Sequence, residues 1–567
     1  MRRITTSLAL LAMLFACEGR TGSGETRSQV PGPPAGKARH IAEIEGQARA
    51  SGAAAERYGV AHAHSLSAIE QAILDGVDAG FRGDLSHDPM LSAMIRDLAV
   101  TTPSRFDLPP SLIDGLMAWY GIADPQPAVI VVEIAGSEHG CDRALAVECE
   151  EAVGALVDEV VRTFSMDGLG SGAATRWRIG VGVSAVEGGA KTRMMVGIVE
   201  RTVELDPIAI EQPAGASFQL RGTLLGGRTA PRLERVDPQG KWTRVPTVVG
   251  KRGQVEAALR CDAGRGTYQI ELLAEGATGP EVAANFRVFC GAERPREIAF
   301  EYERIGAKVD AADIVRGNFD LLNAEREARG LPALAWDERA AAVAEAHSAD
   351  MLASGFIGHV SPTSGDVTDR FRAAGIAGTV VRENVARGYG PKGIHESLMN
   401  SPGHRANVLA DDVTHVGIGV VFGEPESTAA DAPRPVFLTQ NFYAKVGADT
   451  PDDPSRTLRA KVDQLREDHS LPALAWHPRL AKLAEQRAAA AAGSGPAIDD
   501  EAFQDELADI GLRSLERHQV SGGNFAALVE LELWLQLDAS AKIGIGVARV
   551  DDAKGGGLVL VILVGQT

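Results

Sequence analysis

The chain has no surplus of positive charge: 57 Lys and Arg stand against 76 Asp and Glu, a formal net charge of −19. Nucleic acid and anionic lipid surfaces both need basic patches, so neither is expected as a partner. No stretch reaches the ~18 uninterrupted apolar residues of a membrane-spanning helix. Phosphate-cradling Gly loops, dinucleotide fingerprints and paired Cys-x-x-Cys motifs are lacking in any convincing context. Cysteine is scarce, at five in 567 residues. What remains is an ordinary soluble composition, 45% hydrophobic and 23% charged. The length favours about three to five globular units.

The start of the chain points out of the cytoplasm. Arg2 and Arg3 precede the apolar run Leu8–Phe15, and Leu14-Phe15-Ala16-Cys17 resembles a lipobox. Residues 1–16 are therefore expected to be a lipoprotein signal peptide, cleaved so that Cys17 carries lipid. An ordinary signal peptide with an incidental cysteine is the alternative. Either way the mature protein is exported, as a cell-envelope lipoprotein touching the membrane through its anchor or as a secreted protein. Residues 17–40, rich in Gly, Pro, Ser and Thr, form a flexible tether. The remaining Cys141, Cys149, Cys261 and Cys290 are an even set in an exported chain. That favours two local disulfides, Cys141 with Cys149 and Cys261 with Cys290, over free thiols.

Self-comparison finds an internal repeat. Leu471-Pro-Ala-Leu-Ala-Trp476 repeats Leu331-Pro-Ala-Leu-Ala-Trp336 letter for letter, 140 residues later. Lys542-Ile-Gly-Ile-Gly-Val547 likewise follows the pattern of His415-Val-Gly-Ile-Gly-Val420, and a further apolar strand comes after each. A third copy has Asp84-Leu-Ser-His-Asp-Pro89 ahead of a helix and Arg178-Ile-Gly-Val-Gly-Val183 ahead of the strand Thr192–Ile198. Each copy runs helix, turn, second helix, variable middle and closing hairpin. In the middle copy the first helix is expected over Asp313–Arg329, with Ile314, Leu321 and Leu322 inward and Gly330 and Pro332 ending it. Asp337 caps the second, in which Val343 and Met351 face inward. Gly417 and Gly419 leave one strand face bare, so a helix or neighbouring backbone can approach closely.

Between the first two copies, short apolar runs alternate with Gly, Pro and Asp turns, as in Thr267-Tyr-Gln-Ile-Glu-Leu-Leu and Phe286-Arg-Val-Phe-Cys. Period-two alternation of this kind argues a small antiparallel β-sandwich of Ig-like size, serving as spacer or binding unit. The expected modules are 41–205, 206–296 (all-β), 310–446 and 455–567.

Chemistry concentrates between Gly355 and Leu409, which holds His359, Glu383 and His404. A neutral imidazole is both a metal ligand and a general acid/base, so two of them with a carboxylate can hold a divalent cation or polarise water. The histidines lie 45 residues apart, too far for a local zinc motif, and only the fold can unite them. Taken singly, each also suits a turn or core position.

The segment nevertheless resembles the CAP superfamily, named for cysteine-rich secretory proteins, antigen 5 and pathogenesis-related 1, and above all its cysteine-free bacterial branch. The likeness is carried in order by Leu322-Asn-Ala-Glu-Arg326, Gly330 to Asp337, Gly358-His-Val-Ser-Pro362, Glu383-Asn-Val385, Met399 to Leu409, His415 to Val420 and Thr439-Gln-Asn-Phe442. The resemblance implies an α/β/α sandwich for this module; with the two repeat copies read as degenerate CAP-like modules and the Ig-like sandwich between them, the expected fold class is α/β. The resemblance also implies a cleft in which His359, His404 and Glu383 bind zinc or another divalent cation. Ser401 stands near the family's second acidic position and Leu398 where an aromatic is usual. Asn323, Arg326, Arg405, Asn407 and Asn441 match family positions and are expected to lock helices and loops around the cleft, while Asn384 either orients Glu383 or caps a turn, the cap being favoured. The outer copies lack the histidine pair: His477 and His518 stand alone in one, His139 in the other.

Three functions fit. The cleft binds a cation and an envelope ligand, a lipid, glycan or protein. It hydrolyses a substrate, as a peptidase or cell-wall enzyme, with a metal or His404 activating water and Glu383 as base. Or the array is structural.

Overall fold

Side-chain caps decide where the principal helices begin. Ser67, Asp88, Asp310, Asp337 and Asp453 each turn an acceptor onto first-turn amides, and Ala68–Gly80, Pro89–Thr101, Ala311–Glu327, Glu338–Ser354 and Pro454–Asp468 follow them. Asp310 and Asp313 close a capping box, so the middle copy's first helix starts at Ala311, ahead of the expected Asp313. Ile314, Phe319 and Leu322 fill its inner face, while Leu321 is half-buried. The inner face of the second helix is made by Ala340, Ala341, Ala344, His347, Ser348 and Met351. Val343, expected inward, is half-buried.

The computed structural model describes residues 5–9, 32–33, 41–60, 65–102, 108–135, 147–164, 176–305, 309–425, 434–447, 450–550 and 557–566. Cys17, Cys141 and His139 lie outside them. Two compact units emerge, residues 1–367, 383–410 and 416–441 in the first, and 368–382, 411–415 and 442–567 in the second. Among the described residues no helix is long and apolar enough to cross a membrane.

In the first unit, one sheet has the strand order Thr5–Ala9, Ala128–Ala135, Lys191–Arg201, Arg176–Val186, Asp84–His87. The strand Ile41–Ala48, expected within this module, instead pairs with Ile298–Ile305 as a two-stranded ribbon. Residues 203–290 form two further sheets that share a core built from Leu220, Leu233, Val255, Tyr268, Ile270 and Phe286. A disulfide joins Cys261 to Cys290, each at the end of a strand; Cys149 is also disulfide-bonded. The middle copy's sheet runs Ala335–Trp336, His415–Phe422, Val436–Lys445, Gly378–Gly388. A Cβ on Gly417 or Gly419 would strike the backbone of the helix Glu338–Ser354 at Ala340–Ala341 or Ala344–Glu345, so the bare strand face is filled by that helix.

The second unit repeats this order, with Ala475–Trp476, Lys542–Arg549, Leu558–Gln566 and Ser514–Gly522. Gly544 and Gly546 press on the helix Pro478–Ala491 at Leu480–Ala481 and Ala484–Glu485. His477 caps that helix, in the place Asp337 takes in the middle copy.

Candidate functional site

The two histidines reach the site on separate turns. Gly355, at φ 69°, ends the helix Glu338–Ser354 and turns the chain into the loop that carries His359. Ser401 caps the short helix Pro402–Val408, accepting from the His404 amide at 3.4 Å. Glu383 comes from the strand Gly378–Gly388.

These three side chains converge. His359 Nδ1 lies 3.0 Å from Glu383 Oε1, and the rings of His359 and His404 have centroids 6.2 Å apart at a tilt of 44°. Glu383 is 2% exposed at its side chain and His359 22%, so the acid sits behind the imidazole. With Nδ1–H donated to the carboxyl, His359 Nε2 keeps its lone pair. Burial pushes His404 down to about 3, with His359 alongside as the second cause, so this imidazole is neutral near pH 7.

Sequence reasoning missed His347. Its Nε2 donates to the Gly358 carbonyl at 2.9 Å and lies 3.9 Å from Glu383 Oε1. Its signal was a polar pair, His347-Ser348, on the buried stripe of an alanine-rich helix. Asn441, in the amide orientation that satisfies both neighbours, donates to Glu383 Oε2 at 3.2 Å and accepts from Ala344 N at 3.3 Å.

An amide network braces the cleft from behind. Asn407 donates to the Glu383 carbonyl at 3.0 Å and to Asn384 Oδ1 at 2.9 Å. Asn384 in turn donates to the His404 carbonyl at 3.2 Å and to Gln440 Oε1 at 3.0 Å. Asn384 therefore ties the strand of Glu383 to the helix of His404, where a turn cap was the expectation. Arg326 donates to the carbonyls of Pro332, Val408 and Ala410 at 2.7–2.9 Å.

The residues suit a cation in one respect. Rings with centroids 6.2 Å apart lie within the span of a single ion at ~2.0–2.1 Å from each nitrogen. Among the described residues no three His, Cys, Asp or Glu side chains form a group that could hold a metal. The arrangement is two imidazoles, with the acid hydrogen-bonded to one of them.

The model of the cysteine-rich secretory protein family, CAP, matches residues 319–442. This segment is a CAP domain. YkwD, an uncharacterized protein of Bacillus subtilis (strain 168), is 40% identical over 103 residues, covering 18% of this chain and 40% of the relative. YlbC, an uncharacterized membrane protein of the same bacterium, is 34% identical over 138 residues, covering 23% of this chain and 40% of the relative. The chain thus spans well under half the length of these curated relatives. An extracellular protein containing a SCP domain from Bacillus anthracis str. Ames is 20% identical, with 40% of this chain and 82% of that one covered and a TM-score of 0.20. For an outer surface protein from Borrelia burgdorferi the values are 18%, 25%, 99% and 0.21. Within the CAP domain Leu398, in place of an aromatic, is buried at the end of the helix Pro391–Asn400.

Proposed function

We propose that the CAP domain binds a divalent cation, zinc or another, between His359 and His404, and that Glu383 holds His359 in the ligating tautomer. The observation that carries this is the pair of imidazoles 6.2 Å apart, one backed by a buried carboxyl at 3.0 Å. A cation held by two imidazoles keeps open positions, and a polar or lipid-like envelope ligand fits there. His404 contributes a neutral ring at physiological pH, and the Asn384–Asn407 bridge fixes the spacing between its helix and the strand of Glu383. The hydrogen bonds from His359 and Asn441 occupy Glu383, which favours binding over a role as hydrolytic base. Calorimetric zinc titration of the full chain tests this. His359→Ala and His404→Ala are each expected to weaken binding at least about tenfold; affinities equal to wild type in both would dismiss the site.

The shared strand order of the three sheets, with helix-contacting glycines in each, supports reading the outer ones as degenerate CAP-like modules kept for packing or partner binding. The two sheets over 203–290 support an Ig-like spacer. The basic, apolar and Leu-Phe-Ala-Cys features of the N-terminus support export and a lipid anchor at Cys17. Cys17→Ala is expected to release the protein from the membrane fraction, and retention there would sink the anchor.

A further inference from the structure

The β-rich module touches both loops that carry the cleft histidines. At the turn between its strands Gly266–Gly276 and Gly279–Cys290, the carbonyl of Thr278 accepts from the amides of His359 and Val360, each at 2.9 Å. Farther back along the first of these strands, Glu271 Oε2 accepts from the Gly403 amide at 3.0 Å, one residue before His404. Both anchors therefore stand on one hairpin, whose strands are paired from Gly266–Cys290 to Gly276–Gly279.

The second anchor is costly. Glu271 is 0% exposed, faces Glu234 directly across the strands, and its Oε1 has no hydrogen-bond partner among the described residues. Burial pushes this carboxyl up to about 7 against the opposing pull of the Gly403 amide and the Ser401 hydroxyl. An apolar residue would remove that burial cost but would leave the Gly403 amide without its acceptor. What distinguishes the position is its contact: it fixes the start of the helix that presents His404. Glu234 and Leu273 lie beside Gly403 as well, so the helix start is enclosed by this module.

We infer that Glu271 and the Thr278 carbonyl are positioning groups of the CAP cleft, and that the unit which binds is the β-rich module together with the CAP domain. One paired hairpin grips the His359 loop at its turn and the His404 helix along its strand, so it sets how far apart the two imidazoles stand. The inference rests on the cation reading for its ligand but not for its geometry, and the two can fail separately.

The test uses the full chain as wild type, Glu271→Leu and Glu271→Gln, with zinc calorimetry and residue-resolved hydrogen exchange. Glu271→Leu is expected to weaken zinc binding about tenfold. It should also speed exchange of the His359 and Val360 amides at the far anchor, while Glu271→Gln, which keeps an acceptor for Gly403, restores both. A merely local structural role would quicken the Gly403 amide alone; that result, with zinc affinity unchanged, overturns the inference. Should wild type bind no zinc, the cation reading falls, and exchange at His359 and Val360 decides by itself: faster in Glu271→Leu supports the coupling, unchanged refutes it. Should Glu271→Leu fail to fold, Gly358→Ala probes the opposite direction, because its added methyl would press on Thr278. Faster exchange at Gly403 and His404 is then the supporting result, and wild-type rates there the refuting one.

Discussion

Single side chains hold this cleft by what they donate to backbone. Arg326 is 1% exposed and spends its guanidinium on the carbonyls of Pro332, Val408 and Ala410, tying the first CAP helix to the end of the His404 helix. In the second unit Arg466, 2% exposed, does the same for Pro472, Trp534 and Leu537. Arg326→Met keeps the apolar stem but strands three carbonyls, at roughly 1–3 kcal/mol for each that stays dry. The melting temperature of the unit should fall by about 5–10 °C in a thermal scan, and an unchanged value would show that water replaces the guanidinium. Arg466 stands 140 residues after Arg326, the offset of the Leu-Pro-Ala-Leu-Ala-Trp repeat, but nothing in either residue's identity names the carbonyls it meets. His359, Glu383 and His404 were legible because each sits in a motif. His347 was not, because one imidazole on a helix of alanines carries no local mark of the 3.9 Å approach it makes to Glu383.

At the scale of elements, the cap and the glycine stop placed the middle module's first helix within two residues of Ala311–Glu327, and the expected strand Thr192–Ile198 lies inside Lys191–Arg201. The closing hairpins and the close helix approach at Gly417 and Gly419 were readable, because a bare strand face has few other uses. Pairings distant along the chain were not. The ribbon of Ile41–Ala48 with Ile298–Ile305 joins segments about 250 residues apart, and neither strand's alternation names its partner. The grip of Thr278 on the His359 loop is made by a carbonyl and two amides, which every residue type except proline can supply. Such contacts leave no trace in side-chain identity.

Across the whole molecule, three sheets among the described residues share a run of four strands in the same order, and only the middle one carries the His359–His404 pair. Buried ionisable groups in the first unit also give its stability a predictable pH dependence. Burial, with Asp114 as the second cause, pushes Glu396 up to about 10, and burial raises Glu303 to about 7. Their folded pKa values exceed the ordinary 4.5, so the native state keeps protons that the unfolded chain has released. Stability from these acids is therefore complete below about 4.5 and is lost as pH rises toward 7 for Glu303 and 10 for Glu396. His404 and His395 are pushed down to about 3 and about 4, so they act oppositely and cost stability as pH falls below 6.5. The unit should be most stable between roughly pH 4.5 and 6.5. Glu396→Gln is expected to flatten the decline in melting temperature between pH 7 and 9.5; an equally steep decline would assign the alkaline limb to other groups.

The cation site depends on whether two distant imidazoles share one ion. Zinc-soaked crystals of the full chain, examined by anomalous scattering at the zinc edge, measure this directly. The expected result is a single peak at ~2.0–2.1 Å from a ring nitrogen of His359 and one of His404, with Glu383 on the opposite nitrogen of His359. A peak elsewhere on the molecule, or none at saturating zinc, would contradict it.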